Sequence, residues 1–253
     1  PNKTEMCGMY QLAKDLAKEF NGDIMTKGDK IGTGGIYSDF TKREITDYKQ
    51  VITLLYPMHK HGKFFKSYCG MKWICYDQKI PPITKTYFPN FFRRQAMKYI
   101  NWRNNTTMKG ADEYWDVTER EQKPRWTAKS ENFDLSPYAC YVGRRKDYKN
   151  FEWLEQTMKE LEIRFVPSWQ VSSDNDIHSL ISNAKLLVTA SIWEGYGRPC
   201  LEACVLNIPV VAFKVGAHEK NFKKYKNKGM LVKNMDFKAL KIAIKFVWER
   251  ETK

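Results

Sequence analysis

The sequence predicts an α/β protein built on parallel strands with helices on both faces of the sheet; the order of its segments predicts this class, and its length predicts the number of domains. From Tyr138 onward, short apolar segments alternate with segments whose apolar residues recur at helical spacing. Such alternation, with short turns, is typical of parallel strands joined by helices. The chain of 253 residues is also long enough for two domains of roughly 125 residues each.

The first half contains one strongly periodic helix and several shorter elements. Between residues 7 and 20, Leu12, Leu16 and Phe20 fall on one helical face. The other elements predicted in this half are strands at 24–26, 49–56 and 72–76 and a helix at 90–102. The polar segment 121–137 contains two prolines and few apolar residues, which predicts a linker. We therefore predict one domain at 1–136 and a second at 137–253.

The second half carries a regular series of elements. Strands are predicted at 138–142, 163–166, 186–190 and 208–213, and helices at 150–162, 176–184, 199–206 and 236–250. Ligands of parallel sheets bind beyond the carboxyl ends of the strands. The loops that follow these strands are therefore where functional residues are expected.

Positive charge is concentrated in one part of the chain. The net charge is +14, and residues 48–110 contain twelve lysines or arginines, thirteen aromatic residues and a single acid, Asp77. Such a surface attracts phosphorylated substrates, anionic lipid or nucleic acid, although a solvated lysine face over an aromatic core fits equally well.

Other composition features indicate the compartment. No apolar segment reaches the ~18 residues of a membrane-spanning helix, and no signal peptide is recognisable. The six cysteines form no C-x-x-C motif, which indicates reduced thiols. We expect a cytoplasmic protein that binds peripherally to the inner face of a membrane.

Two glutamates flank a glycine turn after the predicted strand at 186–190. Glu194 and Glu202 are eight positions apart, and GYGRPCL lies between them. Glycine permits tight turns, and Pro199 suits the first turn of a helix, whose free N–H groups bind oxygen atoms. A carboxylate there accepts hydrogen bonds from hydroxyl groups but repels phosphate. The pattern predicts a polyhydroxy ligand such as a sugar or a ribose.

Cations for a phosphate group follow another strand at the same edge of the sheet. Gly143 comes directly after the predicted strand at 138–142, and Arg144 and Lys149 lie five positions apart before the next helix. Arginine offers a planar pair of donors to phosphate oxygens, and lysine offers a mobile point charge.

These motifs together resemble the retaining, nucleotide-sugar-dependent glycosyltransferases of family 4, which have the GT-B fold. The resemblance covers 138–247, and a weaker one covers the first helix, before which the family has a strand. That strand is absent because the chain begins at Pro1, and the sequence leaves open whether it is trimmed or lost. The resemblance implies two Rossmann-like domains whose parallel sheets face a central cleft. The first, shortened domain is then on the acceptor side, and the second binds the donor.

The resemblance also implies a role for each matching residue. Glu202 would accept hydrogen bonds from the ribose, and Glu194 would bind a hydroxyl group of the transferred sugar. Arg144 and Lys149 would bind the diphosphate and stabilise the leaving nucleoside diphosphate. The other donor-binding residues implied are Gly8, Gly143, Gly195, Tyr196, Gly197 and Leu201.

The sequence departs from the family at one catalytic position. Family members often carry a histidine near the reacting sugar, whereas the matching place here reads ICYDQK. We expect Asp77 or Gln78 to take that place, and we include Asp77 among the catalytic residues. For His218, a contact with the donor and a surface position both stay open.

No metal ion and no cofactor are expected, because cations are available for the diphosphate and the nucleotide sugar is a substrate. Asp174-Asn175-Asp176 has a D-x-D spacing, but it directly precedes a predicted helix, which favours helix capping. Expected partners are a UDP- or GDP-sugar, a glycan, lipid-linked or protein acceptor, and an anionic membrane surface contacted through 48–110. Nucleic acid is not an expected partner. The alternatives left open are a basic nucleic-acid-binding protein and another GT-B enzyme, such as a nucleotide-sugar epimerase.

Overall fold

Two parallel sheets, one of three strands and one of five, organise the residues that the computed structural model describes. These residues are 8–20, 48–54, 59–77, 91–116, 122, 124–130, 137–171 and 174–251. They divide into two compact units, and the described residues of the second are 124–130, 137–171 and 174–251. The predicted strand at 24–26 lies outside the described residues. The predicted division after residue 136 stays a prediction, although residues 124–130 pack within the second unit.

The first unit contains the three-stranded sheet, in the order β1-β2-β3, with all strands parallel. Its elements are α1 (Gly8–Phe20), β1 (Gln50–Thr53), α2 (His59–Cys69), β2 (Lys72–Asp77), α3 (Phe91–Met108) and β3 (Glu113–Asp116). Trp73 on β2 is fully buried, and its indole N–H donates to Thr53 Oγ1 at 2.8 Å. Gly62 on α2 lies directly against the Trp73 ring, where a Cβ atom would clash. The predicted apolar face of α1 is confirmed at Leu12 and Leu16, which are buried, whereas Phe20 at the end of the helix is 38% exposed.

The second unit contains the five-stranded parallel sheet in the order β5-β4-β6-β7-β8. Its strands are β4 (Ala139–Tyr141), β5 (Phe165–Pro167), β6 (Leu186–Thr189), β7 (Val210–Phe213) and β8 (Met230–Val232). Its helices are α4 (Phe151–Glu160), α5 (Asp174–Ser182), α6 (Arg198–Val205), α7 (His218–Tyr225) and α8 (Phe237–Glu251).

Side chains of β6 and β7 alternate between two separate cores. Leu186 and Val188 pack in a cluster that includes residues of α4 and α8, whereas Leu187 packs in a cluster with residues of α5 and α6. Because successive side chains of a strand point to opposite faces, both faces of this sheet are covered by helices. The predicted α/β architecture with parallel strands is confirmed.

Several boundaries differ from the prediction. The strand predicted at 49–56 is observed at Gln50–Thr53, and the helix predicted at 90–102 extends to Met108. Helix α5 begins at Asp174, so the D-x-D sequence lies in its first turn and does not precede it. Helices α2 and α7 and strands β3 and β8 were not predicted. No helix within the described ranges is long and apolar enough to cross a membrane.

Candidate functional site

The loops at the carboxyl ends of β4, β6 and β7 are held together by hydrogen bonds. The backbone N–H of Ile192 donates to the carbonyl oxygen of Tyr148 at 2.9 Å. Asn150, in the left-handed conformation at φ 47°, donates from its side-chain amide to the carbonyl oxygen of Ala190 at 2.9 Å. The loops after β4 and β6 are thus fixed to each other at the edge where parallel sheets bind ligands.

Lys149 and Glu194 meet across these two loops. Lys149 Nζ donates to Glu194 Oε1, and each side chain is only 15% exposed. Burial on its own would raise the pKa of Glu194, but the charge of Lys149, the nearby His218 and hydrogen bonds from Lys149 and Ser191 lower it overall. Glu194 is therefore an ionised acceptor near neutral pH, beside a lysine cation.

A glycine turn places the start of helix α6 beside this ion pair. Gly197 has φ 81° and ψ 53°, a left-handed conformation that glycine adopts without strain, and the helix begins at Arg198. A Cβ atom at Gly197 would lie 2.4 Å from His218 Nε2. A Cβ atom at Gly216, whose φ is 54°, would lie 2.9 Å from the carbonyl oxygen of Gly195 and 3.0 Å from that of Glu194. Gly197 and Gly216 therefore allow the loop after β7 to pack closely on the loop after β6, which contains Glu194.

His218 is buried, so the surface position that the sequence left open is wrong. It is 1% exposed, and its Nδ1 lies 2.9 Å from the carbonyl oxygen of Phe213. Because a carbonyl only accepts, Nδ1 carries the proton in this contact. Burial, together with the charge of Lys149, lowers the pKa of His218 despite the opposite effects of Glu194 and of the Phe213 carbonyl.

The two other predicted residues near this helix start are also buried. Tyr196 is 5% exposed, and its hydroxyl donates to Asn221 Oδ1 at 3.3 Å. Leu201 is 1% exposed and lies on α6. The side chains of Tyr196 and Leu201 are therefore packed inside the unit, and Tyr196 can contact a ligand only through its backbone.

Glu202 has a partner that the sequence does not reveal. Arg125 donates from Nε to Glu202 Oε1 at 2.6 Å and from Nη2 to Oε2 at 2.8 Å. The Glu202 side chain has no exposed surface, and that of Arg125 is 12% exposed. A lone arginine in a polar, proline-containing segment carries no sequence signal that pairs it with a glutamate 77 positions away.

Arg144 lies at the same edge but is not part of the ion pair. Its side chain is exposed, and its backbone carbonyl accepts a hydrogen bond from the Tyr141 hydroxyl at 3.2 Å. Gly143 precedes it and donates its N–H to Ser168 Oγ at 3.2 Å. A Cβ atom at Gly143 would lie 2.7 Å from the Tyr141 hydroxyl oxygen, which explains the glycine. The structure thus brings Lys149, but not Arg144, into contact with Glu194.

Gly8 and Asp77 belong to the first unit. Gly8 is the first residue of α1, and Asp77 is the last residue of β2. Asp77 therefore lies at the carboxyl end of a parallel strand, as the prediction requires. Across the described part of the chain, no group of three or more His, Cys, Asp or Glu side chains is placed to hold a metal ion.

The fold is that of known GT-B glycosyltransferases. Sucrose-phosphate synthase from Thermosynechococcus elongatus matches with a TM-score of 0.62 and 14% identity, covering 97% of this chain and 71% of that one. WaaG, a glycosyltransferase of lipopolysaccharide biosynthesis, matches with a TM-score of 0.58 and 11% identity, covering 99% and 88%. Anabaena HepE in complex with UDP and glucose matches with a TM-score of 0.55 and 14% identity, covering 94% and 80%.

The sequence itself is similar to one glycosyltransferase family over its second half. Residues 150–253 match the family described as Glycosyl transferases group 1. No curated protein sequence matches the chain. The chain spans only 50% of the longer TarM of S. aureus, which it also resembles in fold. The GT-B fold predicted from the sequence is confirmed.

Proposed function

We propose that this protein transfers a sugar from a UDP- or GDP-sugar to an acceptor hydroxyl group with retention of the anomeric configuration. The family match over 150–253 supports a glycosyltransferase, and the solved HepE complex with UDP and glucose supports a nucleotide-sugar donor. In the reaction, the acceptor oxygen bonds to the anomeric carbon from the face that the diphosphate leaves. The acceptor proton passes to the departing phosphate oxygen.

The observation that carries this proposal is the ion pair of Lys149 and Glu194 beside the Gly197 turn. A lysine cation there stabilises the negative charge that develops on the leaving diphosphate. An ionised glutamate next to it accepts hydrogen bonds from sugar hydroxyl groups. In such a site a donor lies with its sugar at Glu194 and its diphosphate at Lys149 and the exposed Arg144. The backbone of Gly195, Tyr196 and Gly197 lines the turn between them.

Donor transfer tests the proposal directly. A panel of UDP- and GDP-sugars is incubated with the protein, and donor consumption is followed with and without added glycan acceptors. Arg144→Ala and Glu202→Ala should both reduce turnover, whereas Lys241→Ala, which removes a cation from the exposed pair with Glu160, should not. Unchanged turnover in the first two variants would show that the assigned site is wrong. Interconversion of the donor sugar without transfer would favour an epimerase.

We also propose that helix α3 brings the enzyme to an anionic membrane surface. Phe91, Phe92, Tyr99 and Trp102 are 57%, 81%, 59% and 58% exposed. At about 100° per residue they share one side of the helix. Cations flank these aromatic residues, and no acidic residue occurs between Phe91 and Met108. Aromatic rings with lysine and arginine are typical of helices that lie in a membrane interface.

Vesicle sedimentation tests this membrane contact. The protein should sediment with vesicles that contain anionic lipid and much less with neutral ones, and Phe92→Ser with Trp102→Ser should abolish sedimentation. Phe246→Ser, which changes an aromatic residue 55% exposed on α8, is the matched control. Equal sedimentation of the wild type and all variants would show that helix α3 does not mediate membrane binding. If the protein bound RNA but did not sediment with either kind of vesicle, the nucleic-acid-binding alternative would be favoured.

A further inference from the structure

The segment 124–130, which we name the strap, packs onto the second unit through Arg125. Its guanidinium group binds both carboxylate oxygens of Glu202, at 2.6 Å and 2.8 Å. The carboxylate has no exposed surface in this arrangement. A polar segment predicted as a linker thus closes off a carboxylate on the helix that follows the glycine turn.

Several contacts fix the strap in this position. The Arg125 guanidinium lies 4.1 Å from the ring centre of Trp126, and Trp126 stacks on His178 with ring centres 4.7 Å apart and an angle of 7°. His178 Nε2 lies 2.8 Å from the carbonyl oxygen of Ala128. The backbone N–H of Ser130 donates to Ser182 Oγ at 3.1 Å. Helix α5 therefore holds the strap along its length, while Arg125 reaches α6.

We infer that Arg125 competes with the donor's ribose for Glu202, so that the strap must release before a nucleotide binds. This inference rests on the proposed function, in which Glu202 accepts hydrogen bonds from ribose hydroxyl groups. Those hydroxyl groups need the carboxylate oxygens that the guanidinium group now occupies. The strap is therefore an internal occupant of the ribose subsite. The apparent affinity for the nucleotide is reduced by the fraction of molecules in which the strap is closed.

Nucleotide affinity measured by titration calorimetry gives the first test. UDP and GDP are titrated into the wild-type protein and into Arg125→Ala, and the variant should bind the preferred nucleotide about tenfold or more tightly. Loss of a cation alone would weaken binding of an anion, so the sign of the change is decisive. Inorganic pyrophosphate, which has no ribose, should not bind Arg125→Ala more tightly. Lys241→Ala, which also removes one positive charge, should bind UDP as the wild type does.

Trypsin cleavage of the unmodified protein gives a second test that needs no variant. Cleavage after Arg125 requires its side chain to leave Glu202, so saturating UDP or GDP should accelerate it. Cleavage after Lys228, which is exposed in the turn between α7 and β8 of the same unit, serves as the internal reference. The products are followed by mass spectrometry.

The outcomes separate the two proposals. If the protein turns over a nucleotide sugar but Arg125→Ala binds nucleotide equally or more weakly, the strap does not compete and only this inference fails. Unchanged or slower cleavage after Arg125 in the presence of nucleotide would likewise show that the strap does not compete with the nucleotide. If no nucleotide binds the wild type or the variant, the proposed function fails and the inference with it.

Discussion

At the residue scale, the two glutamates of the motif have different electrostatic partners. Glu194 is paired with a lysine at 15% exposure, and Glu202 is paired with an arginine at no exposure. A lysine ammonium is a mobile point charge, whereas an arginine binds a carboxylate through two parallel hydrogen bonds. Glu194 is therefore the more easily approached of the two carboxylates, and Glu202 is the more tightly held.

Replacing Lys149 with alanine should lower turnover of the nucleotide sugar about 10²- to 10³-fold, the range typical for loss of one group that stabilises transition-state charge. The reason is that the cation beside Glu194 would no longer offset the charge of the leaving diphosphate. Steady-state rates measure the effect, and urea unfolding shows whether the variant is still folded. A folded Lys149→Ala enzyme with the wild-type rate would contradict the role assigned to this lysine.

His218 should make the protein less stable in mild acid. Burial lowers its folded pKa below the ordinary 6.5, so the unfolded chain binds a proton that the folded protein does not. The free energy of unfolding should therefore fall as the pH drops below about 6.5, by at most ~1.4 kcal/mol per pH unit, until the lower folded pKa is reached. Urea unfolding at about pH 7.5 and about pH 5.5 should show a smaller loss in His218→Asn. An equal loss in both proteins would mean that His218 is not responsible.

At the element scale, most helices and strands follow from local patterns, and the missed ones show what those patterns lack. Helix α2 reads HKHGKFFKSYC, whose glycine and five lysine or histidine positions obscure its apolar face, although Gly62 is required by the Trp73 ring against it. Helix α7 reads HEKNFKKY, and its buried residues are the polar His218 and Asn221, so no apolar periodicity marks it as a helix. Packing partners distant in sequence define both helices, and no local pattern contains that information.

The glycine at the start of α6 should be irreplaceable. In Gly197→Ala, a left-handed backbone costs about 1–2 kcal/mol, and the new Cβ atom also meets the His218 ring. Gly70→Ala is the matched control, because its φ is also positive, at 66°, but no atom lies within 4 Å of its Cβ position. Thermal unfolding should show both variants destabilised, whereas titration with the nucleotide should show weakened binding only in Gly197→Ala. Equal nucleotide affinity in both variants would show that the turn does not shape the site.

At the scale of the whole molecule, the sequence predicts the second unit better than it predicts what packs on it. The order of strand, glycine turn and helix places Lys149 and Glu194 at one edge of a parallel sheet, and the structure brings them into contact. The position of Arg125 was not predictable, because its contact with Glu202 depends on where the segment 124–130 runs over α5 and α6. Exposure of Arg144 likewise depends on the local turn and not on its spacing from Lys149.

Stability measurements can show how far the second unit extends along the chain. A fragment of residues 124–253 keeps the bond between Arg125 and Glu202, whereas a fragment of residues 137–253 leaves that glutamate without its partner. Because a buried carboxylate without a partner is unfavourable, the shorter fragment should be less stable, by at most about 3–5 kcal/mol, since water can enter where the strap was. Urea unfolding of both fragments measures the difference. If the ion pair, and not chain length, causes the difference in stability, Arg125→Ala in the longer fragment should remove most of that difference. Equal stability of the two fragments would show that the domain boundary lies after residue 136, as the sequence predicts, and that the strap only covers the site.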